Sequence, residues 1–136
     1  MWLTTPYHCF WVAVAMLSHR CGTTPPMETQ RKRLGLVGER VAEAVLRDRG
    51  LSIVARNVAV GRGEVDLIGH SRTGRVVVEV RTVRGELRLD ERFPRAKRRQ
   101  VGALASALGV HRVDLVGVAL GSEGVDVHWL RDVATD

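Results

Sequence analysis

Between Leu51 and Thr82 the chain has room for three strands and for no helix. Leu51–Asn57, Glu64–His70 and Arg75–Thr82 are short runs built around Val, Ile and Leu. Only two tight turns divide them, Val60-Gly61-Arg62-Gly63 and Ser71–Gly74. Parallel neighbours need a crossover of a dozen or more residues, so these three strands form an antiparallel meander. Val76-Val77-Val78 gives the third the composition of a sheet centre.

The flanks complete the frame. Arg31–Arg49 reads as a helix, with Leu34, Val37, Val41 and Val45 at helical spacing and Gly50 as its stop. Arg84–Phe93 is polar and reads as a loop. Pro94 opens a second helix whose apolar face is Val101, Leu104, Ala105 and Leu108, and Gly109 ends it. Val113–Leu120 and Val125–Leu130 are a fourth and a fifth strand. The second helix permits a parallel return to the sheet. The expected fold class is α/β: a mixed sheet flanked by helices, in the order helix, three-strand meander, helix, two strands.

A chain of 136 residues, 45% of them hydrophobic, supports one such domain and not two. Residues 1–26 differ in composition. They hold four of the six aromatics, both cysteines (Cys9 and Cys21) and no acid. The apolar run Cys9–Leu17 is too short to span a bilayer, which takes about 20 residues. It also lacks the preceding basic residue of a signal peptide. Residues 1–26 are therefore expected to be a non-conforming extension, disordered or upstream of a true start at Met27, with the domain spanning 27–136. From Met27 onward there is no cysteine, which excludes a disulfide framework or a cysteine zinc site there. The expected location is cytoplasmic, away from membranes.

Two of the strands carry acids: Asp66 in Glu64-Val65-Asp66-Leu67-Ile68 and Glu79 in Val77-Val78-Glu79-Val80-Arg81. An unpaired carboxylate in a sheet is costly. A hairpin through Ser71–Gly74 brings Asp66 and Glu79 towards one another, with Arg81 on the face of Glu79. Spacing alone fits two arrangements. One is a cation between two repelling carboxylates; the other is ion pairs with the abundant arginines. Net charge is +6, and of 21 basic residues only Lys32 and Lys97 are lysines. The basic balance favours a polyanionic partner.

Taken together, Gly35-x-x-Gly38-Glu39-x-x-Ala42, Ala55-Arg56-Asn57, Gly63-Glu64-Val65-Asp66-Leu67-Ile68 and Val78-Glu79-Val80-Arg81-Thr82 resemble the YraN-like family of uncharacterised bacterial proteins. The resemblance runs from about Gln30 to about Leu120. That family is similar to the restriction-endonuclease-like superfamily with its PD-(D/E)XK motif, which includes Holliday-junction resolvases. The resemblance implies a restriction-endonuclease-like fold and site roles for particular residues. Asp66 and Glu79 would bind a metal ion, Mg²⁺ or Mn²⁺, together with the backbone carbonyl of Val80. Glu39 would be a further acid from the first helix. Arg81 stands where the motif has lysine, and Lys97 matches a basic residue early on the second helix. Val58 replaces a family tryptophan. Arginine keeps the charge at position 81 and grips phosphate, but with a pKa above about 12 it does not accept a proton. Lys97 lies on the side of Val101, Leu104 and Leu108, facing inward, where it substitutes for the missing lysine.

Arg84, Arg95, Arg98 and Arg99 follow the third-strand acids, and the last three are spaced to share a helical face. Beside a helix N-terminus they suit a phosphate backbone. Aromatics are scarce here, which disfavours single-strand binding by stacking and favours backbone-directed binding of duplex or junction DNA. His70, His111 and His128 have no ligand spacing. The expected function is a nucleic-acid-binding protein of nuclease-like fold that acts as a divalent-metal-dependent phosphodiesterase on DNA. The alternatives are a catalytically inactive binder and a protein-interaction module with structural ion pairs.

Overall fold

A computed structural model describes residues 26–136. The expectations for residues 1–25 lie outside the described residues. The elements are α1 (Met27–Asp48), β1 (Ser52–Val60), β2 (Gly63–Ser71), β3 (Gly74–Arg84), α2 (Leu89–Arg92), α3 (Arg95–Ala107), β4 (Arg112–Leu120) and β5 (Val125–Leu130). The sheet order is β1-β2-β3-β4-β5. The meander is antiparallel, β3 and β4 pair in parallel, and β5 returns antiparallel to β4. The expected order and mixed sheet are observed.

Both glycine stops act as expected. Gly50 and Gly109 take positive φ (91° and 70°). Leu51 N–H donates to Leu46 C=O and Val110 N–H to Ala105 C=O, which closes orphan carbonyls of α1 and α3. The segment Arg84–Phe93 departs from the expected loop: it contains the short helix α2. Leu87 and Leu89 reach down to Gly117, where a Cβ would come 2.4 Å from Leu87 Cδ2, and Phe93 is buried. That apolar anchoring turns a polar-looking stretch into a packed strap.

The helices cover opposite faces of the sheet. One core layer joins Ala42 and Leu46 of α1 to Leu67, Val76, Val78, Val116 and Val118. The other joins Val101 and Ala105 of α3 to Val77, Val113, Leu115 and Phe93. The buried stripe of α1 is Gly38, Ala42 and Leu46, whereas Val37 is 44% exposed. The helix is thus turned by one residue from the expected face. The cause is close approach at Gly38, where a Cβ would fall 1.6 Å from Thr82 Oγ1. Only glycine lets α1 lie that near β3. Glu43 then ties α1 to β1, accepting from Arg56 Nε at 2.6 Å.

Candidate functional site

The β2–β3 ladder runs from the Ser71/Gly74 pair to the Leu67/Val78 pair and stops there. The next positions are Asp66 and Glu79. Asp66 fills the break: its Oδ2 accepts the Val80 N–H at 2.8 Å, in place of a backbone carbonyl of β2. The N–H and C=O of a strand residue lie on one edge, so Val80 directs its carbonyl towards the same opening. Asn57 of β1 takes φ 49° beside this region, a conformation that asparagine tolerates better than most residues.

Glu79 is 2% exposed. Its Oε1 meets Lys97 Nζ at 2.8 Å and Arg81 Nη2 at 3.0 Å. Arg81 comes from the same strand face two residues on, and Lys97 from the first turn of α3. The structure therefore brings Asp66, Glu79, Arg81 and Lys97 together, with Lys97 facing inward. Burial pushes the Asp66 carboxyl up to about 6, and the Glu79 charge adds to this. The Val80 N–H, Arg81 and Lys97 oppose the rise without cancelling it. Glu39 reaches the site from α1. Its carboxyl is raised by burial first, then by the charges of Asp66 and Glu64.

Among the described residues, no group of three or more His, Cys, Asp or Glu side chains is disposed to hold a metal ion. The oxygen donors within the site are the two carboxylates and the Val80 carbonyl. This suits a hard cation that takes one or two carboxylates and keeps several waters. Burial and a like charge together raise the Asp66 carboxyl to about 6.

Arg95 and Arg99 are exposed on α3, and Arg84 is exposed at the end of β3. Arg98 differs from the expected shared face. It is half-buried, and its Nε is buried without a hydrogen-bond partner. It stands one turn before Val101 and Gly102, which α3 buries, so its stem is drawn inward.

A third strand acid escaped the sequence reading. Asp114 of β4 is fully buried. It accepts from Arg112 Nε (2.9 Å) and Nη2 (2.8 Å), Trp129 Nε1 (2.8 Å) and Asp132 N–H (2.9 Å). The rule that singled out Asp66 and Glu79, an acid inside an apolar strand, also applies to Val113-Asp114-Leu115. Trp129 is held in this hub by its indole N–H. No described helix is long and apolar enough to cross a membrane.

Comparison with known proteins places relatives beside this geometry. The model of the uncharacterised protein family UPF0102 matches residues 38–118. The UPF0102 protein of Chloroflexus aurantiacus is 42% identical over 121 residues, covering 81% of this chain and all of the relative. That of Roseiflexus castenholzii is 35% identical over 112 residues, covering 74% of this chain and 90% of the relative. Among solved structures, SSO0001 superposes with a TM-score of 0.42 at 17% identity, over 79% of this chain and 54% of that one. A repair endonuclease from Pyrococcus abyssi gives 0.36 at 20% identity, over 76% of this chain and 42% of that one. The chain thus spans about half the length of these solved structures.

Proposed function

The chain belongs to the uncharacterised protein family UPF0102, and from that premise we propose that it is a nucleic-acid-binding protein of nuclease-like fold that cleaves DNA phosphodiester bonds with Mg²⁺ or Mn²⁺ held at Asp66 and Glu79. The observation that carries the reading is the opening at the end of the β2–β3 ladder. Two largely buried carboxylates act on one another there, and two cationic side chains reach Glu79.

In this reading Asp66, Glu79 and the Val80 carbonyl hold the ion. When bound, the ion supplies charge for a phosphoryl oxygen and lowers the pKa of a water. Lys97 and Arg81 hold the Glu79 carboxylate through Oε1, so that it would be oriented for the ion. Arg81, 38% exposed along its side chain, is placed to meet a phosphate as well. Glu39 adds negative charge on the α1 side of the opening. Arg84, Arg95 and Arg99 offer exposed guanidiniums to the backbone of DNA, and Arg98 contributes less because its stem is buried.

The test is a cleavage assay on branched, nicked and single-stranded DNA with Mg²⁺ or Mn²⁺ and with a chelator. Metal-dependent cleavage that Asp66→Asn and Glu79→Gln abolish, with DNA binding kept, is the expected result. One observation favours a second reading. Glu79 already has two cationic partners, as a structural ion-pair cluster would. DNA binding without cleavage on any substrate, with either metal, would make the protein a binder that retains the fold.

A further inference from the structure

We propose a phosphate-binding pocket on the sheet face opposite the acids, walled by four arginines. A cavity of about 220 Å³ lies between the α1–β1 junction, the β2–β3 turn and β5. Arg49, Arg72, Arg112 and Arg131 line it together with Trp129. It belongs to the α1 side, where Leu51 and Trp129 join the core layer, while Lys97 sits on the α3 side. Asp66 and Ser71 are five residues apart along β2, about 17 Å at the rise of a strand. The pocket and the acidic opening are therefore separate places.

The walls are built around a buried carboxylate. Asp114 grips Arg112 through both oxygens, holds the Trp129 indole N–H, and caps the backbone of Asp132, where the chain turns at φ 49°. Trp129 in turn supports Arg131, whose guanidinium lies 3.8 Å from the ring centroid. Two of the four arginines are thus held in place by one acid. That acid pairs with Arg112, on which the charge of Asp132 also acts. Asp48 lies 3.8 Å from Arg49 Nε. Among the described residues no carboxylate is within salt-bridge distance of Arg72 or Arg131, and both are exposed. With Asp48, Asp114 and Asp132 counted, the four arginines leave the pocket net positive, and Arg112 and Arg131 are held by the Asp114–Trp129 hub.

Its size selects the ligand class. Pockets for drug-sized molecules run from about 300 Å³ upward, so this one takes a group rather than a whole nucleotide. Planar guanidiniums match the paired oxygens of phosphate. The phosphate is carried either by a small phosphate ester or by a nucleic-acid strand, and the test separates the two.

Inorganic phosphate is titrated calorimetrically into the full-length protein at constant ionic strength, with the Trp129 indole N–H followed by NMR. Arg72→Ala/Arg131→Ala is compared with Arg33→Ala/Arg40→Ala, which removes equal charge from the exposed side of α1. Neither pair touches Asp114, and melting curves check that both variants fold. The expected result is saturable binding that shifts the indole signal. It should weaken at least tenfold in the first variant and stay unchanged in the second. If duplex DNA competes with phosphate for the pocket, the source is nucleic acid; if it does not, the source is a small ester. Equal binding by the two variants, or no saturation in the parent, overturns the proposal.

Discussion

Asp66 carries the most consequential proton in the molecule. Its carboxyl is raised to about 6 by burial and by Glu79, against about 3.9 in an unfolded chain. The native state therefore holds this proton more tightly than the unfolded state. That contribution to stability is complete below about pH 4 and is lost as pH rises through about 6. Asp66→Asn keeps an acceptor for the Val80 N–H and removes the charge. It should raise stability at pH 8 by about 3 kcal/mol and leave it nearly unchanged at pH 4, read from thermal denaturation at the two pH values. An equal gain at both would show that the carboxylate is not electrostatically strained. Cleavage, on the proposed function, should increase with pH through about 6 as the carboxylate ionises. Arg81→Lys restores the motif lysine and should raise the cleavage rate at pH 8, where a fall or no change would show that Lys97 already fills the role. At this scale the acids, Arg81 and Lys97 were legible because charge inside an apolar strand, or on the apolar side of a helix, demands a partner. Asp114 obeys the same rule and was passed over. The inward course of Arg98 follows from the apolar side of α3, one turn before Val101 and two before Ala105, and charge spacing alone overlooked it.

Among the elements, α1 shows what spacing leaves undetermined. Leu34, Val37, Val41 and Val45 recur at helical intervals, yet the helix seats on Gly38, Ala42 and Leu46. Small residues allow a short interaxial distance that larger ones forbid, and an apolar count is blind to that. Gly38→Ala should cost about 2 kcal/mol or more, because the new methyl group would overlap the Thr82 side chain. Chemical denaturation measures the loss, and Thr82→Gly in the same chain should recover part of it. An unchanged midpoint for Gly38→Ala would mean that α1 shifts freely on the sheet. The strands were placed to within a few residues, since glycine turns punctuate them. Helix α2 was missed because its anchors, Leu87, Leu89 and Phe93, are scattered among charges.

At the scale of the whole molecule, the net charge of +6 is carried mainly by arginine. Binding to DNA should weaken steeply with salt. Removing Arg95 and Arg99 together should reduce the slope of log K against log salt by about 2, since each phosphate contact contributes about 0.9. Binding titrations across a salt series provide the measurement, and an unaltered slope would move the interface away from α3. The parallel pairing of β3 with β4 has a kinetic consequence. The meander closes through tight turns, and its local contacts form early. The β3–β4 seam must wait for the excursion through α2 and α3, which delivers Lys97. During folding, Asp66 and Glu79 would thus come together with Arg81 as their only cation before Lys97 arrives. Docking of α3 onto this hairpin is the expected slow step, and mildly acidic solution should quicken refolding by protonating Asp66.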